Sequence, residues 1–492
     1  MIAYAQLLIP TIWWDEKTGF AGAKPRTDAA LGLGVGGFIL RGGEREAVRA
    51  LTKDLRQRSR IPLLIAADME RGAGEQFVGA TGLPPVGAIA SLGDMDAIRR
   101  AARLTAREAR TMGVNWDFAP VCDLDLDTNN PIVGTRAFGS DPVRASECAA
   151  EWIAACQSEG VLACAKHFPG HGRTETDSHC ALPVVRASVA ELTDVDLAPF
   201  RAAIATGVAS LMTAHVAYPA LDSSGQPATL SREILHWLLR QRLKFDGLVI
   251  SDAMTMAGVR EGRDESEAVV EAVRAGCDLV LDPVDLPGAI AALESAAKDR
   301  RFDDERLHQS LRRRLKWAQW ASPPNEYRRP SLTDLAWGDQ LAERVIHVVR
   351  GAVPRSSGPL DVLVIDDDTN HAPEHVDASR DVFVATLRSA GVRVRPVGDD
   401  GTAALGTNAL VVALFGDVAA GRERVGYAPE TLARAAAACT AAVQKGRPTL
   451  VVQFGPPRWA AALTDAPNVI SAWGGDRTMQ AAAARWLKRA AV

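Results

Sequence analysis

The sequence has no CxxC pair, no internal repeat and no low-complexity segment beyond alanine-rich helical stretches. It also lacks any apolar run approaching the ~20 residues that a membrane-spanning helix requires. Its seven cysteines, Cys122, Cys148, Cys156, Cys164, Cys180, Cys277 and Cys439, are odd in number, and several sit inside apolar runs where a cysteine behaves as a small hydrophobe. They read as reduced thiols, which makes the cytoplasm the expected location. Net charge is scarce as well: 56 Lys and Arg against 60 Asp and Glu give −4 over 492 residues. Such near-neutrality supplies no electrostatic reason to expect a nucleic acid or an anionic membrane as partner. The run Arg312, Arg313, Arg314 lies in a helical pattern and reads as a solvated helix face. The opening MIAYAQLLIPTIWWDEKTGF has no basic n-region and no small-residue cleavage site, so it reads as the start of a folded domain rather than a signal peptide.

What is present is a soluble composition, 47% hydrophobic and 24% charged, with one recurring theme. Over the first 320 residues a short β-rich apolar run is followed each time by an Ala/Arg/Glu-rich helical stretch. The strand runs are VGGFIL (Val35–Leu40), PLLIAAD (Pro62–Asp68), VNWDFAPV (Val114–Val121), VLACAKHF (Val161–Phe168), ASLMTAH (Ala209–His215), GLVISD (Gly247–Asp252) and CDLVLD (Cys277–Asp282). Helical patterns lie between them, at 96–112, 144–158, 264–275 and 286–298. Continuous apolar runs alternating with helices imply parallel strands covered on both faces. Seven or eight such units predict a (β/α)8-type TIM barrel over residues 1–320. Asp68, Lys166, His167, His215, Asp252 and Asp282 each stand at the end of a strand run, the position from which barrel enzymes project their catalytic groups. The Pro-rich polar stretch 321–335 reads as a linker. Beyond it, runs at 360–368, 391–397, 409–416 and 449–455 predict a smaller flavodoxin-like α/β sandwich domain over residues 336–492.

The chain has nine histidines, yet His167, His171 and His179 fall within one segment, KHFPGHGRTETDSH (Lys166 to His179). Pro169, Gly170 and Gly172 forbid a regular helix there, so this is a loop at a strand end, a favoured place for chemistry. Three readings stay open on the residues alone. Asp177 and His179 could form an acid/base pair, the carboxylate fixing the imidazole tautomer. The three histidines could bind a metal, although ligand pairs four apart usually sit on a helix. One or two of them could simply satisfy buried backbone groups. In GLVISDAMTMAGV (Gly247–Val259), Asp252 emerges at the barrel mouth, where an N-cap and a nucleophile are equally good readings in isolation. Paired with an acid/base group on a neighbouring loop, it becomes half of a displacement pair. Retaining glycosidases need one group to attack the anomeric carbon and another to protonate the leaving oxygen. Asp68 in AADMERGAGEQF (Ala66–Phe77) could accept from sugar hydroxyls, with Glu70 and Arg71 in structural roles. The acidic run Asp123, Asp125, Asp127 lacks the Gly and Glu spacing of an EF-hand calcium loop. Arg136, in a turn-rich stretch, is available for hydroxyl or carbonyl recognition, a surface salt bridge being the alternative.

These motifs together, KHFPGHG with a following DSH, ISDAMTM, PLLIAAD and FAPVCDLD with IVGTRAFGSDP, resemble the bacterial β-N-acetylglucosaminidases of glycoside hydrolase family 3 across most of residues 1–320. The resemblance implies Asp252 as nucleophile, His179 as acid/base on a loop and Asp177 as its partner. It further implies that Asp68, Arg136, Lys166 and His167 hold the sugar in the −1 subsite, that no cofactor or metal is used, and that the partner is a small carbohydrate, an N-acetylglucosaminide of peptidoglycan turnover. Two positions depart from the pattern: Gln76 stands where an arginine usually precedes the phenylalanine, and Ala253 where an acidic residue often follows the nucleophile. The first unsettles the sugar preference, and a β-glucosidase or β-xylosidase is the rival within the family. An imidazole acid/base would not repel incoming phosphate, so phosphorolysis is physically permitted, with hydrolysis expected to dominate. A non-catalytic carbohydrate-binding or metal-dependent barrel is the rival of another class.

Overall fold

The computed structural model describes residues 4–321, 330–356, 358–367, 379–398, 407–418 and 424–491. Its first sheet has nine hydrogen-bonded segments, all paired in parallel. The two outermost, Leu8–Ile9 and Thr11–Trp13, are separated only by Pro10, which has no N–H to give to a ladder. Leu8–Ile9 pairs with Leu279–Leu281 and Thr11–Trp13 with Gly37–Arg41. They are therefore one broken strand, β1, which closes the sheet on itself; nine segments less one gives an eight-stranded barrel. The remaining strands are β2 (Gly37–Arg41), β3 (Leu64–Ala67), β4 (Trp116–Asp117), β5 (Leu162–Phe168), β6 (Ser210–Thr213), β7 (Leu248–Ala253) and β8 (Leu279–Leu281). The run at the N-terminus that escaped assignment in the sequence is the missing eighth unit.

The local reasons are ordinary ones. Every residue of β5 is buried, as a strand sandwiched between barrel interior and helices must be. Aspartates start the helices. Asp94 caps Met95–Thr111 by accepting from the Ala97 N–H, Asp141 caps Pro142–Ser158, Asp264 caps Glu265–Ala275 and Asp303 caps Asp304–Trp320. The barrel centre is filled by Ile9, Ile39, Leu64, Trp116, Leu162, Met212, Leu248, Ile250 and Leu279, and Trp116 Nε1 donates to Ser210 Oγ at 2.7 Å. With the interior packed solid, a ligand can approach only at the strand ends.

The second sheet contains β9 (His347–Arg350), β10 (Leu360–Asp366), β11 (Val394–Val397), β12 (Ala409–Phe415), β13 (Thr449–Phe454) and β14 (Val469–Ser471). Its five parallel strands lie in the order β11-β10-β12-β13-β14, the 2-1-3-4-5 arrangement of a flavodoxin-like fold. The strand β9, which the sequence did not reveal, adds antiparallel to β14. Of the stretch read as a linker, 322–329 lies outside the described residues, while its last residues open the helix Leu332–Arg344 under a Ser331 capping box. The domains are joined by side chains. The Arg100 guanidinium lies 4.5 Å over the Trp337 ring, Arg344 pairs with Asp94, and Arg458 pairs with Asp125. The seven cysteines are all free, and among the described residues no helix is long and apolar enough to cross a membrane.

Candidate active site

The strand ends converge on one cavity. Asp68, Lys166, His167, His179, Arg136 and Asp252 line it, together with Arg41, Glu70, Arg71 and Glu75. Asp282, also at a strand end, is outside that lining, and Asp177 lies buried behind His179.

Its floor is a chain of alternating charges. Arg41, the last residue of β2, places Nη1 2.7 Å from Asp68 Oδ2. Lys166 Nζ lies 2.7 Å from both Asp68 Oδ1 and Glu70 Oε1. Glu70 in turn takes two bonds at 2.9 Å from Arg136, through Nε and Nη2. Burial alone would raise the Asp68 and Glu70 carboxyls, yet both are held low, Asp68 by Lys166 and Arg41, Glu70 by Arg136 and Lys166. The ammonium of Lys166 is desolvated but pushed up by Asp68 and Glu70, so it stays charged. Glu75 differs: burial lifts its carboxyl to about 7 in spite of Arg71 beside it.

Two histidines are aimed by carboxylates. The buried Asp123 accepts from the His167 N–H, from the His171 N–H at 2.6 Å and from His167 Nδ1 at 2.7 Å. An ionised carboxylate can only accept, so Nδ1 carries the proton and Nε2 turns to Asp252 Oδ2, 4.0 Å away. The same arrangement recurs at Asp177, which accepts from His179 Nδ1 at 2.7 Å and from the His179 N–H at 2.9 Å. Asp177 is buried, whereas the His179 side chain is one-third exposed. The third histidine of the loop, His171, reaches Thr174 Oγ1 at 2.8 Å through Nδ1 and Ser178 Oγ at 2.9 Å through Nε2. Burial lowers its pKa to about 4, and it works as a brace inside the loop.

Asp252 stands near the end of β7, and its Oδ1 accepts from the Ala253 N–H at 2.8 Å. Burial works against its charge, but His167, His215 and His179 around it bring the pKa down to about 2. His215 is buried, with Nε2 3.1 Å from the Ala253 carbonyl and Nδ1 2.7 Å from Thr229 Oγ1. Desolvation lowers its pKa, which fits a neutral ring donating through Nε2.

Two glycines of the motifs allow the loop to dock. A Cβ on Gly172 would lie 1.8 Å from the Leu124 carbonyl, and one on Gly258 would meet the Ser178, His215 and Ala181 carbonyls within 3.2 Å. The Gly258 N–H donates to Ser178 O at 3.0 Å, so the segment after Asp252 and the loop carrying His179 are fastened together.

Residues that the sequence did not mark are Arg41, Asp123 as the orienting partner of His167, and a small-domain residue, Val418, in the cavity wall. Arg41 ends a strand run and was open to the same strand-end reasoning. Asp123 was masked by its resemblance to an acidic loop. Gln76 lies behind the cavity, its Oε1 accepting from the Gly42 N–H at 3.3 Å. Among the described residues no group of three or more His, Cys, Asp or Glu is placed to hold a metal ion.

A family model described as the glycosyl hydrolase family 3 N-terminal domain matches residues 26–316. A β-N-acetylglucosaminidase/β-glucosidase of Cellulomonas fimi is 39% identical over 293 residues, 58% of this chain and 52% of its own length. A β-hexosaminidase of Pseudomonas aeruginosa is 40% identical over 268 residues, 53% of this chain and 79% of its own length. The chain thus spans about half the length of the Cellulomonas relative. Among solved structures, a family 3 β-N-acetylglucosaminidase from Paenibacillus sp. str. FPU-7 superposes with a TM-score of 0.84 at 26% identity, covering 100% of this chain and 96% of that one.

Proposed function

The chain belongs to glycosyl hydrolase family 3, and from that premise we propose that it is a retaining exo-β-N-acetylglucosaminidase. One observation carries the proposal: an ionised aspartate, Asp252, and a carboxylate-oriented imidazole, His179, open onto the same cavity. Asp252 attacks the anomeric carbon. His179, its Nδ1–H fixed on Asp177, gives a proton from Nε2 to the leaving oxygen and later removes one from the incoming water. The sugar is converted to a glycosyl ester of Asp252 and then released with its original anomeric configuration. Asp68, Arg136, Lys166 and His167 bind its hydroxyls. A depressed nucleophile pKa suits this division of labour, because the attacking group stays ionised at any pH where an imidazole can still act as acid.

The names of the relatives, β-hexosaminidase and β-N-acetylglucosaminidase, support the sugar, and peptidoglycan fragments are the substrate source that we propose. The Cellulomonas relative is also named a β-glucosidase, which supports glucosides as the second reading. Free cysteines, all but Cys180 buried, fit a cytoplasmic location. The test is turnover of 4-nitrophenyl N-acetyl-β-D-glucosaminide beside the matching glucoside and xyloside, with and without phosphate, the products being analysed for configuration. Retained N-acetylglucosamine is expected. Inverted product would sink the mechanism, faster glucoside turnover the sugar, and a sugar 1-phosphate the hydrolytic outcome.

A further inference from the structure

One residue of the cavity wall does not belong to the barrel. Val418 follows β12 and lines the cavity beside Ile132 and Val133. It is buried, and so near the loop carrying Arg136 that a Cβ on Gly134 would lie 2.8 Å from Val418 Cγ1. Its neighbour Asp417 accepts from the Val418 N–H through Oδ1 at 2.8 Å and turns Oδ2 toward Arg71 Nη1, 3.5 Å away. Asp476 of the same domain places Oδ2 3.8 Å from that Nη1. On the barrel side the Arg71 N–H donates to Glu75 Oε2 at 2.8 Å, and its Nε lies 3.4 Å from Glu75 Oε1. The Arg71 guanidinium, itself part of the cavity lining, is therefore wedged between carboxylates of both domains.

We infer that Val418 is a specificity-determining wall of the sugar cavity, and that Arg71 is the positioning residue that holds it there through Asp417. The inference rests on the glycosidase reading above. An apolar side chain on that side gives the C–H face of a sugar a surface to lie on, while the charged floor takes the hydroxyls. Without the guanidinium, Asp417 and Asp476 lose the barrel-side cation that draws them toward the cavity, and the wall that Asp417 carries moves outward. The Arg458–Asp125 pair and the Arg100–Trp337 contact still join the domains, so the expected loss is of placement rather than of folding.

The full chain and 4-nitrophenyl N-acetyl-β-D-glucosaminide serve for the test. Val418→Trp, which fills the cavity, should lower kcat/KM on the order of 10-fold or more, chiefly through KM. Arg71→Asp should raise KM similarly, and adding Asp417→Arg should recover part of that loss, which a merely structural role for the arginine would not predict. An unchanged KM in Val418→Trp, or a double variant no better than Arg71→Asp alone, overturns the inference. A wild-type chain that turns over no aryl glycoside defeats the glycosidase reading instead. The wall is then decided by the pair Gly134→Cys and Val418→Cys. The Cβ positions lie 3.7 Å apart, inside the roughly 3.5–4.5 Å span of a disulfide. A cross-link on oxidation supports the placement of Val418, and its absence overturns it.

Discussion

Both faces of the barrel bury a carboxylate among basic side chains, and only one of them can do chemistry. At the bottom, Asp278 precedes β8 and accepts from Arg240 Nη2 at 2.5 Å, Ser310 Oγ at 2.6 Å, the Val249 N–H at 2.9 Å and Arg313 Nη1 at 3.3 Å. Burial opposes its charge, Arg240 and Arg313 outweigh burial, and its pKa is lowered. At the mouth, Asp252 is likewise desolvated and likewise held ionised, but by imidazoles that stand around it. Among the described residues its backbone donor is the Ala253 N–H, and it lines the cavity. The same balance of desolvation against opposite charge thus locks one aspartate and leaves the other poised. What separates a structural carboxylate from a nucleophile here is whether its acceptor positions are filled by donors fixed in the fold.

Neutralising each carboxylate in turn should separate the two roles. Asp252→Asn should keep its fold and lose turnover on the order of 10³-fold or more, because the attacking group is gone. Asp278→Asn should do the reverse. It leaves Arg240 and Arg313 facing a neutral amide inside the protein, at a cost of about 3–5 kcal/mol in unfolding free energy, while the folded fraction keeps its kcat. Urea unfolding and initial rates on the same samples separate the two. An Asp278→Asn protein that is folded but inactive would mean that the bottom of the barrel matters for chemistry after all.

A smaller effect is expected at His179. In His179→Ala, substrates with poor leaving groups should slow by roughly 10²–10⁴-fold, and activated aryl glycosides by much less, since a good leaving group needs little protonation. With an activated substrate the variant should also show no acid limb down to about pH 4. Asp252 is still ionised there, because His167 and His215 remain beside it to hold its pKa down, and no proton donor is required for the first displacement of a good leaving group. Equal losses on both substrate classes, or an inflection in that range, would remove His179 from the acid role or Asp252 from the nucleophile role.

Most of the mouth was legible because barrel geometry turns a one-dimensional rule, a polar residue at the end of an apolar run, into a three-dimensional cluster. Asp68, Lys166, His167 and Asp252 were found that way, and all four line the cavity. The bottom was not legible. Asp278 reads as the polar start of a strand, and its partners Arg240, Ser310 and Arg313 come from two helices that no local pattern brings together. The first strand was hidden by Pro10, which divides it into pieces of two and three residues, too short for a periodicity to register. Val418 was beyond reach for a further reason. Its role depends on how one domain sits on the other, through shared apolar packing and pairs such as Arg71–Asp417 and Arg458–Asp125 that no local pattern encodes.

The comparison also applies inside the loop that carries the acid/base pair, between His179 and His171, eight residues apart. His179 has one ring nitrogen on a carboxylate and a third of its side chain exposed. His171 has both nitrogens on hydroxyls, Thr174 and Ser178, and is buried. Thr174 Oγ1 donates to the His171 carbonyl, so it accepts from Nδ1–H, and Ser178 donates to Nε2; the ring is neutral. Burial lowers its pKa to about 4, while Asp123 pulls the other way. In the unfolded chain a histidine titrates near 6.5. The folded state therefore refuses a proton that the unfolded state takes, so this contribution to stability is whole above pH 6.5 and is lost as pH falls to about 4. The loss is on the order of 3 kcal/mol. His171→Gln should forfeit about 1–2 kcal/mol at pH 7 through poorer hydrogen bonds and then fall less steeply than wild type between pH 6.5 and 4. Denaturant unfolding at a series of pH values reads both numbers. Parallel slopes for the two proteins would show that His171 is no more buried from protons than His179, and the distinction between brace and acid within this loop would fail.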